Sequence, residues 1–334
     1  MTYKYALIDT ANTFFRARHV ASRNSDPWEK VGMALHLTLA SVNQVVRKFG
    51  IDHVVFCLEG KSWRKSYYEP YKKNRIVDTQ SQTQAEKEEN ELFWETYEKF
   101  TTFLRERTNV SVLRDPQAEA DDLIARWVAL HPEDENFIIS SDTDFIQLIS
   151  EKNKIYNGIT NQLITLEGYF DDKGKIVKDK KTGEPKLLGD PQFILFEKCM
   201  RGDSTDNVFS AYPGVRTKGT KNKVGLIEAY ADREKQGFSW NNLQLQRWVD
   251  HNQVEHRVRD DYERNKVLID LTAQPQDIKD KVDANIREGV RTTVTPQVGV
   301  HFMRFCGTYE LQKISEQSDT YAKWLNNSYK GLLA

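Results

Sequence analysis

Residues 3–9 (YKYALID) form an apolar run rich in strand formers and closed by Asp9. Over residues 28–48 the apolar positions Val31, Leu35, Leu39, Val42, Val45, Val46 and Phe49 fall at helical spacing, and Gly50 supplies a stop. A continuous apolar stretch then runs from His53 to Leu58 and ends at Glu59-Gly60. Strand, helix and strand in this order predict a βαβ unit, because parallel neighbours need a crossover between them.

The alternation resumes with Val110–Leu113 and with a helix over about residues 119–130 (EADDLIARWVAL). A buried strand follows at Phe137–Ile139, leading into SSDTD, and a shorter one at Lys154–Tyr156. The pattern predicts an α/β fold, an open and mostly parallel twisted sheet with flanking helices and with its site at the carboxyl ends of the strands. Two stretches interrupt it. Residues 61–83 are basic and aromatic and then polar, and residues 85–107 read as a charged helix, too much chain for a simple crossover. The turn signals Asp172-Lys173-Gly174 and Lys181-Thr182-Gly183 predict a surface hairpin inserted over 159–190. From about Pro191 onward the chain reads as largely helical, so two regions are expected, 1–200 and 201–334.

With 334 residues the chain can bury a substantial core. It has no apolar run near the roughly 20 residues of a membrane span and no secretory start, so no membrane role is expected. The three cysteines, Cys57, Cys199 and Cys306, are too scattered for a disulfide framework or a zinc site, which suggests a reducing, cytoplasmic setting. A formal net charge of −1 argues against a generic nucleic-acid coat, but the distribution matters more than the sum. Lys61, Arg64, Lys65, Lys72, Lys73 and Arg75 crowd one segment, and Arg216, Lys218, Lys221 and Lys223 another.

The acids cluster where an open sheet builds its sites. Asp9 and Glu59 end strands, Asp142 and Asp144 follow one, Glu119, Asp121 and Asp122 open a helix, and Asp203 and Asp206 lie in RGDSTDN. Singly, each has a plainer role: an acid after a strand is usually a turn residue, and acids at a helix start favour its positive end or cap it. Together they match what Mg²⁺ prefers, a few carboxylate oxygens in an octahedral shell completed by water and phosphate. Two such ions about 4 Å apart can activate a water and stabilise a leaving oxygen.

The stretches ALIDTANTFFRA, VVFCLEG followed by WRKSYYEPYKKNR, AEADDLIA, ISSDTDFIQLI and KCMRGDSTDNVFSAYPGV resemble, in this order, the 5′ nuclease (flap endonuclease) superfamily. The likeness is greatest to bacteriophage 5′-exonucleases and phage ribonuclease H. It implies a nuclease domain over 1–200 with a helical arch at 60–107, and a C-terminal region over 201–334 with a duplex-binding helix–turn–helix. It implies two Mg²⁺ ions, with Mn²⁺ able to substitute. Asp9, Glu59, Glu119 and Asp121 would serve the first site, and Asp144, Asp203 and Asp206 the second. Asp142 would lie between the sites, with Asp122 in the shared cluster. The family usually has Asp-Gly where Glu59-Gly60 stands, so contact through water is the expectation for Glu59.

The same resemblance places Lys72 and Arg75 at the scissile phosphate, where cations offset developing charge, and makes Asp142 part of the catalytic set. Arg64, Lys65 and Lys73 would contact phosphates, and Tyr71 would stack on a splayed base. Pro213-Gly214-Val215 matches the start of the family's duplex-binding turn, after which GVRTKGTK departs from its Gly-x-Gly spacing. Duplex contacts are expected from Gly214, Arg216, Lys218, Lys221 and Lys223, with a monovalent cation as a further expectation there. The implied activity is 5′→3′ exonucleolytic and structure-specific endonucleolytic cleavage of DNA with 5′ ends or flaps, or of RNA–DNA hybrids. A monomer working beside replication proteins is expected.

Three other readings fit parts of the same pattern. A PIN-type single-strand ribonuclease shares the acidic core but needs neither the arch nor the basic turn. A non-catalytic junction-binding protein would have lost carboxylates, yet only Glu59 departs and it remains acidic. An aspartate-nucleophile phosphatase needs a second acid two positions after the first, where Ala11 stands.

Overall fold

In the computed structural model, residues 2–16, 26–75 and 82–333 are described. The central sheet takes β1 (Lys4–Asp9), β2 (His53–Leu58), β3 (Ser111–Arg114), β4 (Glu135–Ile139), β5 (Asn153–Asn157), β6 (Gln162–Thr165) and β7 (Gly168–Phe170). These seven strands lie in the order β3-β2-β1-β4-β5-β6-β7. The first five are mutually parallel and the last two antiparallel, so the expected open, mostly parallel α/β sheet is what forms. Every residue of β2 is buried, which is why the stretch reads as an unbroken apolar run rather than an alternation.

Helices start and stop where local chemistry says they should. After α1 (Thr10–Arg16), α2 (Pro27–Phe49) starts at Asp26, whose carboxylate accepts from the backbone N–H groups of Trp28 and Glu29. It ends at Gly50 with φ +66°, a left-handed conformation that glycine adopts without the usual Cβ penalty. The short α3 (Arg64–Tyr67) is followed by α4 (Gln84–Arg107), opened by a capping box between Thr83 and Glu86. The expected arch segment includes residues 76–81, which lie outside the described residues.

The chain divides into two compact units. The first comprises residues 1–61, 82–188 and 277–334. It holds the sheet, α1, α2, α4 and α5 (Ala120–Leu130), and the core that joins the sheet to α1, α2 and α4 also takes in Phe302, Phe305, Tyr321 and Trp324. Within 159–190, β6 and β7 pair antiparallel through a turn at Leu166-Glu167, while the turn signals at 172–174 and 181–183 lie inside the isolated bridges Phe170–Ile176 and Lys178–Pro185.

The second unit, residues 62–81 and 189–276, packs α6 (Pro191–Arg201), α7 (Leu226–Asp232), α8 (Phe238–Gln244) and α9 (Val258–Ile269) around Phe196, Met200, Leu226 and Leu243. It also carries a small antiparallel ribbon, β8 (Arg247–Val249) with β9 (Glu255–Arg257), which the helical reading of this stretch did not include. After the second unit come α10 (Gln276–Gly289), α11 (Val298–Thr308), α12 (Gln312–Ser315) and α13 (Ser318–Leu325). Among the described residues no helix is long and apolar enough to cross a membrane.

Candidate metal and nucleic-acid site

The strand order reverses between β1 and β4, and at such a switch point the carboxyl ends of an open sheet leave a crevice. Asp9 stands there, at the end of β1 and only 7 % exposed. Its Oδ2 accepts from the Ser140 hydroxyl at 2.9 Å and its Oδ1 from the Asn12 backbone N–H at 3.3 Å. Burial and the neighbouring Glu59 carboxylate, with Asp142 adding to them, push its pKa up to about 7 against the help of those two donors. A buried acid surrounded by other acids costs free energy, and a cation among them removes that cost.

Glu59 follows β2, and its Oε2 accepts from the Ala120 backbone N–H at 3.3 Å. That bond ties it to the first turn of α5, where Glu119, Asp121 and Asp122 gather. Each of the three offers a carboxylate oxygen, and these oxygens lie within 4.8 Å of one another, close enough to hold one ion together. Asp122 also has the plainer role of a helix acid. It is wholly buried, and its Oδ2 accepts from the Glu119 backbone N–H at 3.1 Å in a reciprocal capping box.

Asp142 starts the 3₁₀ turn Thr143–Leu148 and accepts from the Asp144 backbone N–H at 2.9 Å. Its own N–H donates to Ser140 Oγ at 3.0 Å, so one serine orients both Asp9 and Asp142. Sequence reading passed over Ser140. It also passed over Asn12, whose Oδ1 accepts from the N–H and hydroxyl of Ser141. The signal was available in small polar residues immediately past buried strands.

The second unit treats its acids differently. Asp203 Oδ1 accepts from the Thr205 N–H at 2.8 Å, and its Oδ2 pairs with Lys198 Nζ at 2.8 Å. Burial alone would raise this carboxyl, but the Lys198 contact and the turn amides hold it below its ordinary value. Asp206 Oδ1 takes Arg75 Nη2 at 2.7 Å, while its Oδ2 takes the Tyr71 hydroxyl at 3.0 Å and lies 3.6 Å from Lys72 Nζ. Lys72 adopts φ +55°, uncommon for a residue with a Cβ, and its N–H donates to the Asp206 carbonyl at 2.8 Å.

The other basic-segment residues separate clearly. Arg64 is fully buried, donating from Nε to the Leu268 carbonyl at 2.9 Å with its guanidinium over the Trp63 ring. Tyr71 is also buried, among Cys199, Val208, Leu268 and Ile269. Lys65 and Lys73 are exposed, and Lys73 pairs with Glu69.

The turn after Pro213 has Gly214 at φ +74°. Beyond it the longer spacing folds into a closed basic loop with a bridge between Thr220 and Lys223. Glu228, missed in the sequence, clamps the base of that loop, accepting from the N–H of Gly219 at 2.9 Å and of Gly225 at 3.1 Å. No Cβ fits at either glycine: one built on Gly225 would stand 2.3 Å from the Gly219 nitrogen. Arg216, Lys218, Lys221 and Lys223 are all exposed, and Arg216 and Lys223 line a cleft of about 420 Å³ together with Tyr212, Gly214 and Asn242.

Acids gathered at the switch point of a mostly parallel sheet, three of them placed so that they could hold one ion, define an α/β enzyme of the carboxylate-rich kind. The family model described as "5′-3′ exonuclease, N-terminal resolvase-like domain" matches residues 4–178, more than half of the chain, and the protein belongs to that 5′-3′ exonuclease family. Among curated relatives, a flap endonuclease Xni from Shewanella loihica is 28% identical over 231 residues, covering 68% of this chain and 77% of the relative. A 5′-3′ exonuclease from Buchnera aphidicola subsp. Baizongia pistaciae is 25% identical over 244 residues, 72% of this chain and 70% of its own. In fold, the bacteriophage T5 5′-exonuclease with bound divalent zinc superposes with a TM-score of 0.58 at 20% identity, covering 86% of this chain and 99% of that one. A bacteriophage T5 flap endonuclease solved as a pseudo-enzyme-product complex with DNA and metal ions gives 0.54 at 19%, covering 85% and 98%.

Proposed function

We propose that this protein is a Mg²⁺-dependent 5′→3′ exonuclease and structure-specific flap endonuclease that hydrolyses phosphodiesters near 5′ ends in DNA or RNA–DNA hybrids. The observation that carries the reading is the first unit's acid cluster. Carboxylate oxygens of Glu119, Asp121 and Asp122 converge within 4.8 Å, and the nearby Asp9 is buried and strained by its acidic neighbours. An all-oxygen donor set of this kind fits a hard divalent cation such as Mg²⁺, and Mn²⁺ after it. When bound, such ions supply Lewis acidity and an activated water for in-line displacement.

The chain's own residues do the rest. Asp9, Glu59, Glu119 and Asp121 hold the first cation, with Ser140 fixing the orientation of Asp9 and Asp142. Asp203 and Asp206 hold cation charge in the second unit. Lys72 and Arg75 are proposed to pass from Asp206 to the scissile phosphate when substrate arrives, offsetting the charge that develops there. The exposed Arg216, Lys218, Lys221 and Lys223 take phosphates of the flanking duplex, which tolerate imprecise geometry. A role in replication or primer removal, as a monomer beside other replication proteins, agrees with such a substrate.

The test is cleavage of a labelled 5′-flap duplex, a nicked duplex and an RNA–DNA hybrid with Mg²⁺, with EDTA, and with an Asp142→Asn variant. Cleavage that requires Mg²⁺ and falls sharply in the variant is expected. Equal cleavage in all three conditions overturns the metal mechanism.

A further inference from the structure

Outside the acid cluster, the first unit has a second charged concavity. Strand β3 is an edge of the sheet, and along it runs a cleft of about 360 Å³. Val110 and Val112 form part of its lining, together with three arginines, Arg105, Arg114 and Arg291. They come from three elements: the last turn of α4, the end of β3, and the segment after α10. Glu288 is the one carboxylate among the lining residues.

The charges in this cleft are unequally met. Arg114 is paired with Glu98 at 3.0 Å, and its Nε donates to the Glu59 carbonyl at 3.2 Å. Arg105 takes part in no ion pair among the described residues. Arg291 spends one Nη on the Thr295 hydroxyl at 2.6 Å, while its Nε is buried with no hydrogen-bond partner. An arginine near a helix C-terminus is commonly explained by the helix dipole, which accounts for Arg105. It does not account for Arg291, because a buried N–H of a charged group without an acceptor is costly. With Arg114 paired to Glu98, the lining still sets Arg105 and Arg291 against the single carboxylate of Glu288, so the cleft carries net positive charge.

Its direction adds the second observation. β3 is parallel to β2, so Arg114 stands at the same end of the sheet as Glu59 and touches the backbone of that acid. The cleft thus begins beside the proposed catalytic carboxylates and continues along the sheet edge with positive groups. Guanidinium forks suit phosphate oxygens bidentately, and a file of them suits a repeating anion.

We propose that this edge cleft is a nucleic-acid backbone site, in which Arg105 and Arg291 bind successive phosphodiesters of a strand leading to or from the carboxylate cluster. The inference rests on the nuclease reading above and adds a contact surface to it.

The test compares the wild type with Arg105→Glu and with Arg105→Ala/Arg291→Gln, using a minimal flap substrate and one with long arms. Binding is read first, by anisotropy of fluorescein-labelled DNA in EDTA at several salt concentrations, and cleavage afterwards in Mg²⁺. Both variants are expected to bind the long substrate about tenfold more weakly, with the salt slope reduced by about one to two. KM on that substrate should rise with kcat unchanged, while the minimal substrate is cleaved as by wild type. Unchanged affinity and slope overturn the site, as does an equal loss of kcat on both substrates, which marks a structural role. Binding of an octaglutamate peptide that depends on Arg105 while DNA binding does not also overturns it. A wild type that binds DNA through these arginines but never cleaves would instead fail the nuclease reading alone.

Discussion

Asp9 in the first unit and the Asp203/Asp206 pair in the second are all acids in site-forming positions, yet the fold treats them oppositely. Asp9 leans on a serine hydroxyl and one backbone amide, and burial beside Glu59 and Asp142 pushes it up to about 7. Asp203 has Lys198, and Asp206 has Arg75, Lys72 and Tyr71. The first arrangement raises the free energy of the charged acid and so favours an added cation. The second already contains its cations, so a metal ion there must compete with ammonium and guanidinium groups. Acidic residues alone do not measure readiness for metal; what surrounds them does.

Substitution should separate the two sets most sharply. Asp9→Asn is expected to lower Mg²⁺-dependent cleavage by on the order of 10³-fold. In EDTA at pH 8, the same change should stabilise the fold by roughly 2 kcal/mol, because it removes a buried charge from among like charges. Asp206→Asn should also weaken cleavage but should destabilise the fold in EDTA by about 1 kcal/mol, since Lys72 and Arg75 lose their shared partner. Urea unfolding of both variants checks the signs. Two shifts of the same sign would remove the distinction between the regions.

Acid offers a probe that needs no substitution. His53 in β2 is buried, with its ring nitrogens against the Asn327 carbonyl and the Ser111 hydroxyl, and burial pulls its pKa down to about 4. The unfolded chain therefore binds a proton here that the folded one refuses. The stability contributed by this neutral imidazole is full above pH 6.5 and is lost as pH falls toward 4, about 3 kcal/mol in total. Asp9 works the other way, since its folded pKa is raised: its penalty is full above pH 7 and relieved as pH falls from 7 toward 4. Asp9→Asn should remove the opposing effect, so that variant should lose stability more steeply than wild type between pH 6.5 and 4. Equal slopes would show that Asp9 is ionised at neutral pH without cost.

Much of this was legible from residues alone. The unbroken apolar runs ending in Asp9 and Glu59 gave strands and the ends that matter, because buried parallel strands cannot alternate. The motifs EADD, SSDTD and GDSTDN located the acids. What the sequence could not express is which partner each polar group finds across the fold. Arg64 lies in a run of cations, and nothing local says that its guanidinium turns inward to Leu268, 204 residues away. Tyr71 likewise reads as a stacking ring, and only the packing of residues 195–269 makes it a buried one. Glu228 was invisible for the reverse reason. A glutamate in the first turn of a helix is ordinary, and its clamp on Gly219 depends on an irregular loop that periodicity does not describe.

That clamp yields the smallest and most local expectation. The carboxylate of Glu228 lies below its ordinary pKa through hydrogen bonds from its own backbone N–H and from Gly219 and Gly225. Two glycine amides that could face a phosphate are thereby used inside the loop, leaving the exposed lysines to make the proposed phosphate contacts. Glu228→Gln keeps the shape but weakens both acceptor bonds, loosening the loop that presents Lys218, Lys221 and Lys223. Affinity for a plain duplex should fall by roughly threefold, the scale of one net hydrogen bond, while the number of phosphates contacted, and hence the salt slope, stays as it was. Anisotropy titrations at two salt concentrations read both quantities. A variant that binds duplex more tightly would mean that the freed amides themselves grip phosphate, and that Glu228 blocks the turn rather than building it.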